Sequence, residues 1–195
     1  KYIIVSMADI AASGGYWISV DADEIIAANL TLTGSIGVYG GKPDMSGLWN
    51  KIGVNWQAVD YGQNSGMWST NKGMSASERK RLGIMMDRVY SAFTDRVAEG
   101  RGLSNDSVEK VARGRAWTGK NALSAKLVDE IGGFDVALQK AAQKSGYKHW
   151  TEASFIALPQ DTDPFDDLVE LLGVPSVSEL PKFPHSMASF FYDDA

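Results

Sequence analysis

Apolar residues crowd the start of the chain: positions 2–7 read Tyr-Ile-Ile-Val-Ser-Met. The run is short enough for a strand and apolar enough to be covered on both faces. Small residues then take over in Ala11-Ala12-Ser13-Gly14-Gly15. Ser13 stands at a predicted helix start, because serine is a favoured N-cap and two glycines permit a tight strand-to-helix turn. Tyr16, Trp17 and Val20 give that helix its apolar face. Further strands are predicted at 25–28 and 35–39. Residues 43–71 are rich in Gly, Asn and Ser. They predict an excursion over the surface, where functional residues often lie, broken by a strand at 56–59.

Helical periodicity is strongest in the next stretch. Ser75 and Glu78 form the S-x-x-E capping pattern, and Leu82, Met85, Met86, Val89, Tyr90, Phe93 and Val97 recur at helical spacing. Gly100 and Gly102 offer stops. Ser104 caps a shorter predicted helix through Val111. Ala116-Trp117 reads as a brief strand, and Thr118 as the cap of a helix through Leu123. Leu127 and Val128 predict a last small strand, followed by a helix at 134–144 that Gly146 ends. Strands alternating with helices predict an α/β fold with a mainly parallel sheet. Beyond Trp150 the pattern changes: Pro159, Pro164, Pro175, Pro181 and Pro184 leave room for one helix, at 164–172.

Composition narrows the classes. Nineteen basic and 24 acidic side chains are well mixed over 195 residues, for a net charge of −5; this speaks against a nucleic-acid partner. The sequence has no cysteine, so it has no disulfide framework and no thiolate metal site. It contains no run of roughly 18 apolar residues that would span a membrane. Lys1 leads straight into the apolar run with no basic region and no signal-peptide pattern. A start inside a core strand predicts a piece of a longer protein.

The chemistry turns on Ser13. A serine in a small-residue turn before a helix places its hydroxyl beside backbone N–H groups that stabilise an oxyanion. The logic is that of a nucleophile elbow, although A-A-S-G-G is not G-x-S-x-G. Local pattern alone favours the plainer reading, a helix cap. A nucleophile needs a base. His149 and His185 fall at the end of the α/β region and in the tail, where surface roles are commoner. A lysine serves if it is desolvated enough to be neutral. Lys42, Lys51 and Lys72 lie in polar, glycine-rich surroundings that argue against desolvation.

Several separated blocks, in order, then carry a resemblance. Ala12-Ser13-Gly14-Gly15-Tyr16, Asp23-Glu24-Ile25 and Leu32-Thr33-Gly34-Ser35-Ile36-Gly37 resemble the nucleophile region of the signal peptide peptidase A family. These are Ser/Lys proteases of peptidase family S49, in the ClpP/crotonase-like superfamily. The later segment GRAWTGKNALSAKLVDEIGGFDVALQKAA is similar to the family's G-x-x-W/Y-x-G…G-L-V-D-x-L-G segment. The match covers about residues 1–147, with 148–195 as a Pro-interrupted extension.

The resemblance implies a ClpP/crotonase-like α/β fold with a twisted, mainly parallel sheet flanked by helices. It makes Ser13 the nucleophile and Gly14 the adjacent backbone oxyanion donor. Ser35, otherwise a turn residue beside two glycines, becomes the serine that orients the catalytic lysine. It implies cleavage of released signal peptides and other apolar, extended peptides at the periplasmic face of the bacterial cytoplasmic membrane. No cofactor or metal is implied, and the expected assembly is a homo-oligomer, a tetramer by family resemblance.

The chain also departs from the pattern. Short members carry their lysine in the loop after the equivalent of Val59; Ser65 occupies that position here and is no base. Long members are tandem duplications whose amino-terminal half supplies the lysine and whose carboxy-terminal half supplies the serine. This chain resembles the serine-bearing half, which makes the amino-terminal half an expected partner. Two other classes stay open: an inactive assembly scaffold and a crotonase-like acyl-CoA enzyme. In the tail, Phe165, Leu168, Val169, Leu171 and Leu172 predict one apolar helix face.

Overall fold

The chain begins by building two short parallel ladders one after the other. In the computed structural model, which describes residues 1–158, β1 (Ile4–Met7) and β2 (Ile10–Ala12) follow each other with a two-residue break. β1 pairs in parallel with β3 (Glu24–Ala27), Val5 opposite Ile25, and β3 pairs in parallel with β6 (Glu130–Ile131). β2 pairs in parallel with β4 (Leu32–Gly34), Ala12 opposite Gly34, and β4 pairs antiparallel with β5 (Ala116–Thr118). The first sheet is parallel, as predicted; the second mixes both senses. Parallel strands need crossovers, and α1 (Gly14–Ser19) supplies the first one.

Two buried threonines stitch the second ladder. Thr31 Oγ1 donates to the Ala8 carbonyl at 2.7 Å and accepts from Ala28 N–H at 3.0 Å. Thr33 Oγ1 donates to the Ala11 carbonyl at 2.8 Å. Every buried polar atom gained this way removes a desolvation penalty of about 1–3 kcal/mol. The Thr-x-Thr spacing therefore holds the register of β2 against β4.

The long helix α3 (Ala76–Arg101) starts on the predicted capping box: Ser75 Oγ accepts from Glu78 N–H, and the Glu78 carboxylate accepts from Ser75 N–H. It stops at Gly102 in the left-handed conformation (φ 59°). Ser104 caps α4 (Asn105–Val111) and Thr118 caps α5 (Gly119–Ser124), each through its side-chain oxygen. α6 (Phe134–Lys144) and a 3₁₀ turn (Trp150–Glu152) follow.

The core lies between α1, α3, the strands and the segment before β6. Tyr16, Val20, Ile25, Ile36, Phe93, Val97, Val108 and Leu127 are all buried in it. Tyr16 donates its hydroxyl to the Leu127 carbonyl at 2.9 Å, and burial pushes its phenol well above the usual tyrosine range. Phe93 packs on Trp17 with ring centroids 4.5 Å apart, so α3 is the floor on which α1 rests. Phe93→Ala is expected to destabilise the fold by about 3–5 kcal/mol, the usual consequence of emptying a buried aromatic site. Denaturant unfolding checks this; a loss below about 1 kcal/mol would show that α1 does not depend on that floor.

Three sequence expectations need correction. Residues 35–39 are not a strand: the strand ends at Gly34, because Gly34 and Ser35 both take positive φ (71° and 49°) and leave the ladder. Leu127 and Val128 are buried but sit in a turn, and the strand is Glu130–Ile131. The stretch 56–59 has no strand partner, and Val59 is fully exposed. Within the surface excursion the structure has instead a short helix, α2 (Ser46–Lys51). The three-residue strand β2 was not predicted. Residues Lys1–Ala153 form one compact unit. The predicted helix at 164–172 and His185 lie outside the described residues.

Candidate active site

Ser13 is at the end of β2, and the backbone there does something costly. Its φ of 53° with ψ of −115° is a combination that L-residues rarely adopt, worth about 1–3 kcal/mol of strain. The conformation is forced by two bonds: Ser13 N–H still donates to the Gly34 carbonyl at 2.8 Å, while the Ser13 carbonyl already accepts from Trp17 N–H at 2.8 Å. One residue thus ends a strand and begins a helix. A Cβ added to Gly15, in the same turn, would lie 3.9 Å from Ala11 Cβ, so the turn is close but not jammed.

The cap reading of Ser13 fails on a single fact. Its side chain makes no capping hydrogen bond, in contrast to Ser75, Ser104 and Thr118, which all do. The residue is exposed, as is Gly14. The first N–H groups of α1, Gly14 and Gly15 among them, have no intrahelical acceptor by helix geometry. A hydroxyl freed from capping therefore stands beside backbone donors free to bind a developing negative charge.

Ser35 is brought to the same place. β2 and β4 are parallel neighbours, so the residues just past their carboxyl ends, Ser13 and Ser35, lie side by side. Ser35 is half-buried, and its N–H donates to the Arg115 carbonyl at 2.8 Å. It is the second non-glycine residue with positive φ in this corner. Gly34 has no alternative: a Cβ there would lie 2.7 Å from Trp117 Cδ1. Strained backbone clusters where function needs it.

The candidate bases fall elsewhere. Lys72 Nζ is 2.6 Å from Asp60 Oδ2, and that hydrogen bond lifts its ammonium above the usual lysine range. Lys42 Nζ donates to the carbonyls of Ser69 and, at 2.6 Å, Lys72. Lys51 is exposed on α2. Ser65, at the position where a lysine was sought, donates to the Gly62 carbonyl at 2.9 Å. His149 is used locally: its Nδ1 meets Thr151 Oγ1 at 2.8 Å and caps the 3₁₀ turn. Among the described residues no group of His, Asp or Glu is arranged to hold a metal ion.

Comparison with known proteins places the chain in one protease family. Peptidase family S49 matches residues 1–148. The chain is 34% identical over 174 residues to a chloroplastic serine protease SPPA of Arabidopsis thaliana, covering 89% of this chain and 26% of that protein. It is 37% identical over 150 residues to Protease 4 of Salmonella typhi, covering 77% and 24%. A putative signal peptide peptidase SppA of Enterococcus faecium is 35% identical over 163 residues, covering 84% and 46%. The chain thus spans from about a quarter to about half of the length of these relatives.

Proposed function

We propose that this chain, which belongs to peptidase family S49, is the nucleophile-bearing part of a serine endopeptidase in which Ser13 Oγ attacks a peptide carbonyl. The observation that carries the reading is the strained, uncapped Ser13 beside Ser35 at the ends of two paired parallel strands. A serine hydroxyl is a weak nucleophile until a base takes its proton, and a neutral lysine is the base that family resemblance assigns. That lysine comes from a part of the complete protein other than this chain.

The proposed reaction runs in these steps. As Ser13 Oγ bonds to the carbonyl carbon, its proton passes to the lysine amine and negative charge gathers on the carbonyl oxygen. In this reading the Gly14 N–H at the start of α1 stabilises that charge. The lysine then protonates the departing amine, leaving an acyl group on Ser13, and water releases it by the same route reversed. Ser35 donates a hydrogen bond to the lysine and keeps it aimed at Ser13. Exposed Ile10, Ile18 and Leu32 next to the site suit released signal peptides and other apolar, extended substrates. No helix among the described residues is long and apolar enough to cross a membrane. The proposed location is the periplasmic face of the cytoplasmic membrane.

A fluorophosphonate probe on the complete protein tests the nucleophile, with peptide mapping to locate the label. Labelling of Ser13 supports the reading, and labelling of a different serine sinks it. Ser35→Ala tests the orienting role. It removes one neutral hydrogen bond worth roughly 0.5–1.5 kcal/mol, so turnover is expected to fall about 3- to 15-fold. Unchanged turnover across the pH profile would leave Ser35 as a turn residue only.

A further inference from the structure

Ser35 is held from a direction that the catalytic reading does not use. The β4–β5 ladder ends with Gly34 opposite Ala116, and two loop hydrogen bonds join the same two segments beyond it. Ser35 N–H donates to the Arg115 carbonyl at 2.8 Å, and Gly114 N–H donates to the Ile36 carbonyl at 2.8 Å. These two bonds bracket Ser35, one at its own N–H and one at the C=O of the next residue. Both chains run through left-handed backbone here: Gly34 and Ser35 on one side, Arg113 (φ 58°) and Gly114 (φ 72°) on the other.

The two backbones also touch. A Cβ added to Gly37 would lie 2.8 Å from Gly114 N and 2.9 Å from Gly114 Cα, and neither is an atom that can swing away. The far side of the turn is tied down by side chains. Glu109 of α4 accepts from Arg113 Nε at 2.9 Å and from the Tyr90 hydroxyl of α3 at 2.8 Å. Arg115 Nη1 donates to the carbonyl of Ala112 at 3.0 Å. The turn at 113–115 is therefore fixed to two helices, and Ser35 is fixed to the turn.

We infer that the Gly37–Gly114 backbone contact is a positioning device for the Ser35 hydroxyl, which makes Gly37 and Gly114 positioning residues for the Ser/Lys reaction. The inference rests on the Ser35 role proposed above. Ser13 N–H donates to Gly34, so a shift of the turn moves Ser35 relative to a nucleophile anchored one residue earlier. A hydroxyl that donates to a neutral amine favours the neutral form and lowers the pKa of the base. Displacing that hydroxyl raises the pKa, so the rising limb of the kcat/KM profile moves to higher pH. A lesion that only unfolds some of the molecules lowers the rate without moving the limb.

The test uses the complete protein with Gly37→Ala, Gly114→Ala and Gly41→Ala, a peptide ester substrate and a fluorophosphonate probe. Gly37→Ala forces backbone apart. Gly114→Ala meets no atom within 4 Å and loads only the left-handed φ of the same turn, so it decides the matter if Gly37→Ala does not fold. Gly41→Ala also meets nothing within 4 Å and serves as the unaltered control. The expected result is a loss of about 10-fold in kcat/KM for a sub-ångström displacement. The rising limb is expected to move up by roughly half a pH unit to one unit, the equivalent of the lost hydrogen bond. A limb that stays at its original pH in a folded Gly37→Ala or Gly114→Ala protein overturns the inference. Absence of Ser13 labelling in the unsubstituted protein would instead sink the nucleophile reading, on which the inference depends.

Discussion

Ser13→Ala in the complete protein is expected to abolish peptidase activity and leave the fold intact. The size of the loss follows from the role: removing a serine nucleophile typically lowers kcat by about 10⁶-fold, because the base and the oxyanion donors then act on nothing. The intact fold follows from what the side chain does not do. Ser13 Oγ caps no N–H, the residue is exposed, and alanine adopts the same strained φ with no added clash. Exposed substitutions of this kind usually change stability by no more than about 0.5 kcal/mol. Turnover of an apolar peptide ester and thermal unfolding, measured on the same preparation, separate the two effects. Retention of more than about a thousandth of the original turnover would argue that Ser13 is not the nucleophile, since the backbone donors alone do not break a peptide bond.

The second large effect concerns the base. This chain by itself is expected to be catalytically incompetent, and activity is expected to return when the lysine-bearing part of the protein is added. General base catalysis typically contributes about 10²–10⁴-fold, and Lys42, Lys51 and Lys72 are unfit to supply it. Lys72 is held protonated by Asp60: the hydrogen bond raises its pKa, so its neutral fraction at neutral pH is smaller than that of a free lysine. Lys42 spends its donors on two backbone carbonyls and Lys51 is in solvent. Lys72→Met should accordingly leave the activity of the complete protein unchanged. The purified chain is assayed alone and then with the separately expressed lysine-bearing part. Full-rate turnover by the chain alone, lost in Lys72→Met, would put the base in this chain and end the split-site reading. The same assay weighs the scaffold alternative, in which neither the chain nor the mixture turns over substrate.

Both predictions depend on features that were legible to different degrees. The helices were read well because their signals are local. The capping box at Ser75 and Glu78, the oxygen caps at Ser104 and Thr118, and the left-handed stop at Gly102 each involve residues within four positions of one another. Those bonds form wherever the chain is, so the residue pattern suffices. Strands were read less well because a strand is defined by its partner. Ile36 and Val38 alternate as a strand should, yet the backbone has already left the ladder at Gly34. Leu127 and Val128 are as buried as strand residues, but Leu127 reaches the core from a turn whose carbonyl satisfies Tyr16. The three residues of β2 carry too little pattern to be seen at all, and it is β2 that delivers Ser13.

The sequence by itself determined the class of fold, the long helix and its ends, and the separated blocks that mark Ser13, Gly14 and Ser35. Local pattern favoured the cap for Ser13 and only the family resemblance favoured the nucleophile, because a serine before two glycines serves either purpose with the same neighbours. Tertiary structure removed the side-chain cap and left the nucleophile as the proposal. Pairing β2 with β4 ties Ser13 N–H to Gly34 while α1 already claims its carbonyl, and with that double demand φ is 53° and the hydroxyl makes no capping bond. The same pairing sets Ser35, twenty-two residues later in the chain, beside it. Such a conformation costs energy locally and persists only because distant strands and the buried Tyr16 and Phe93 over-determine it, which is why no reading of neighbouring residues could have supplied it.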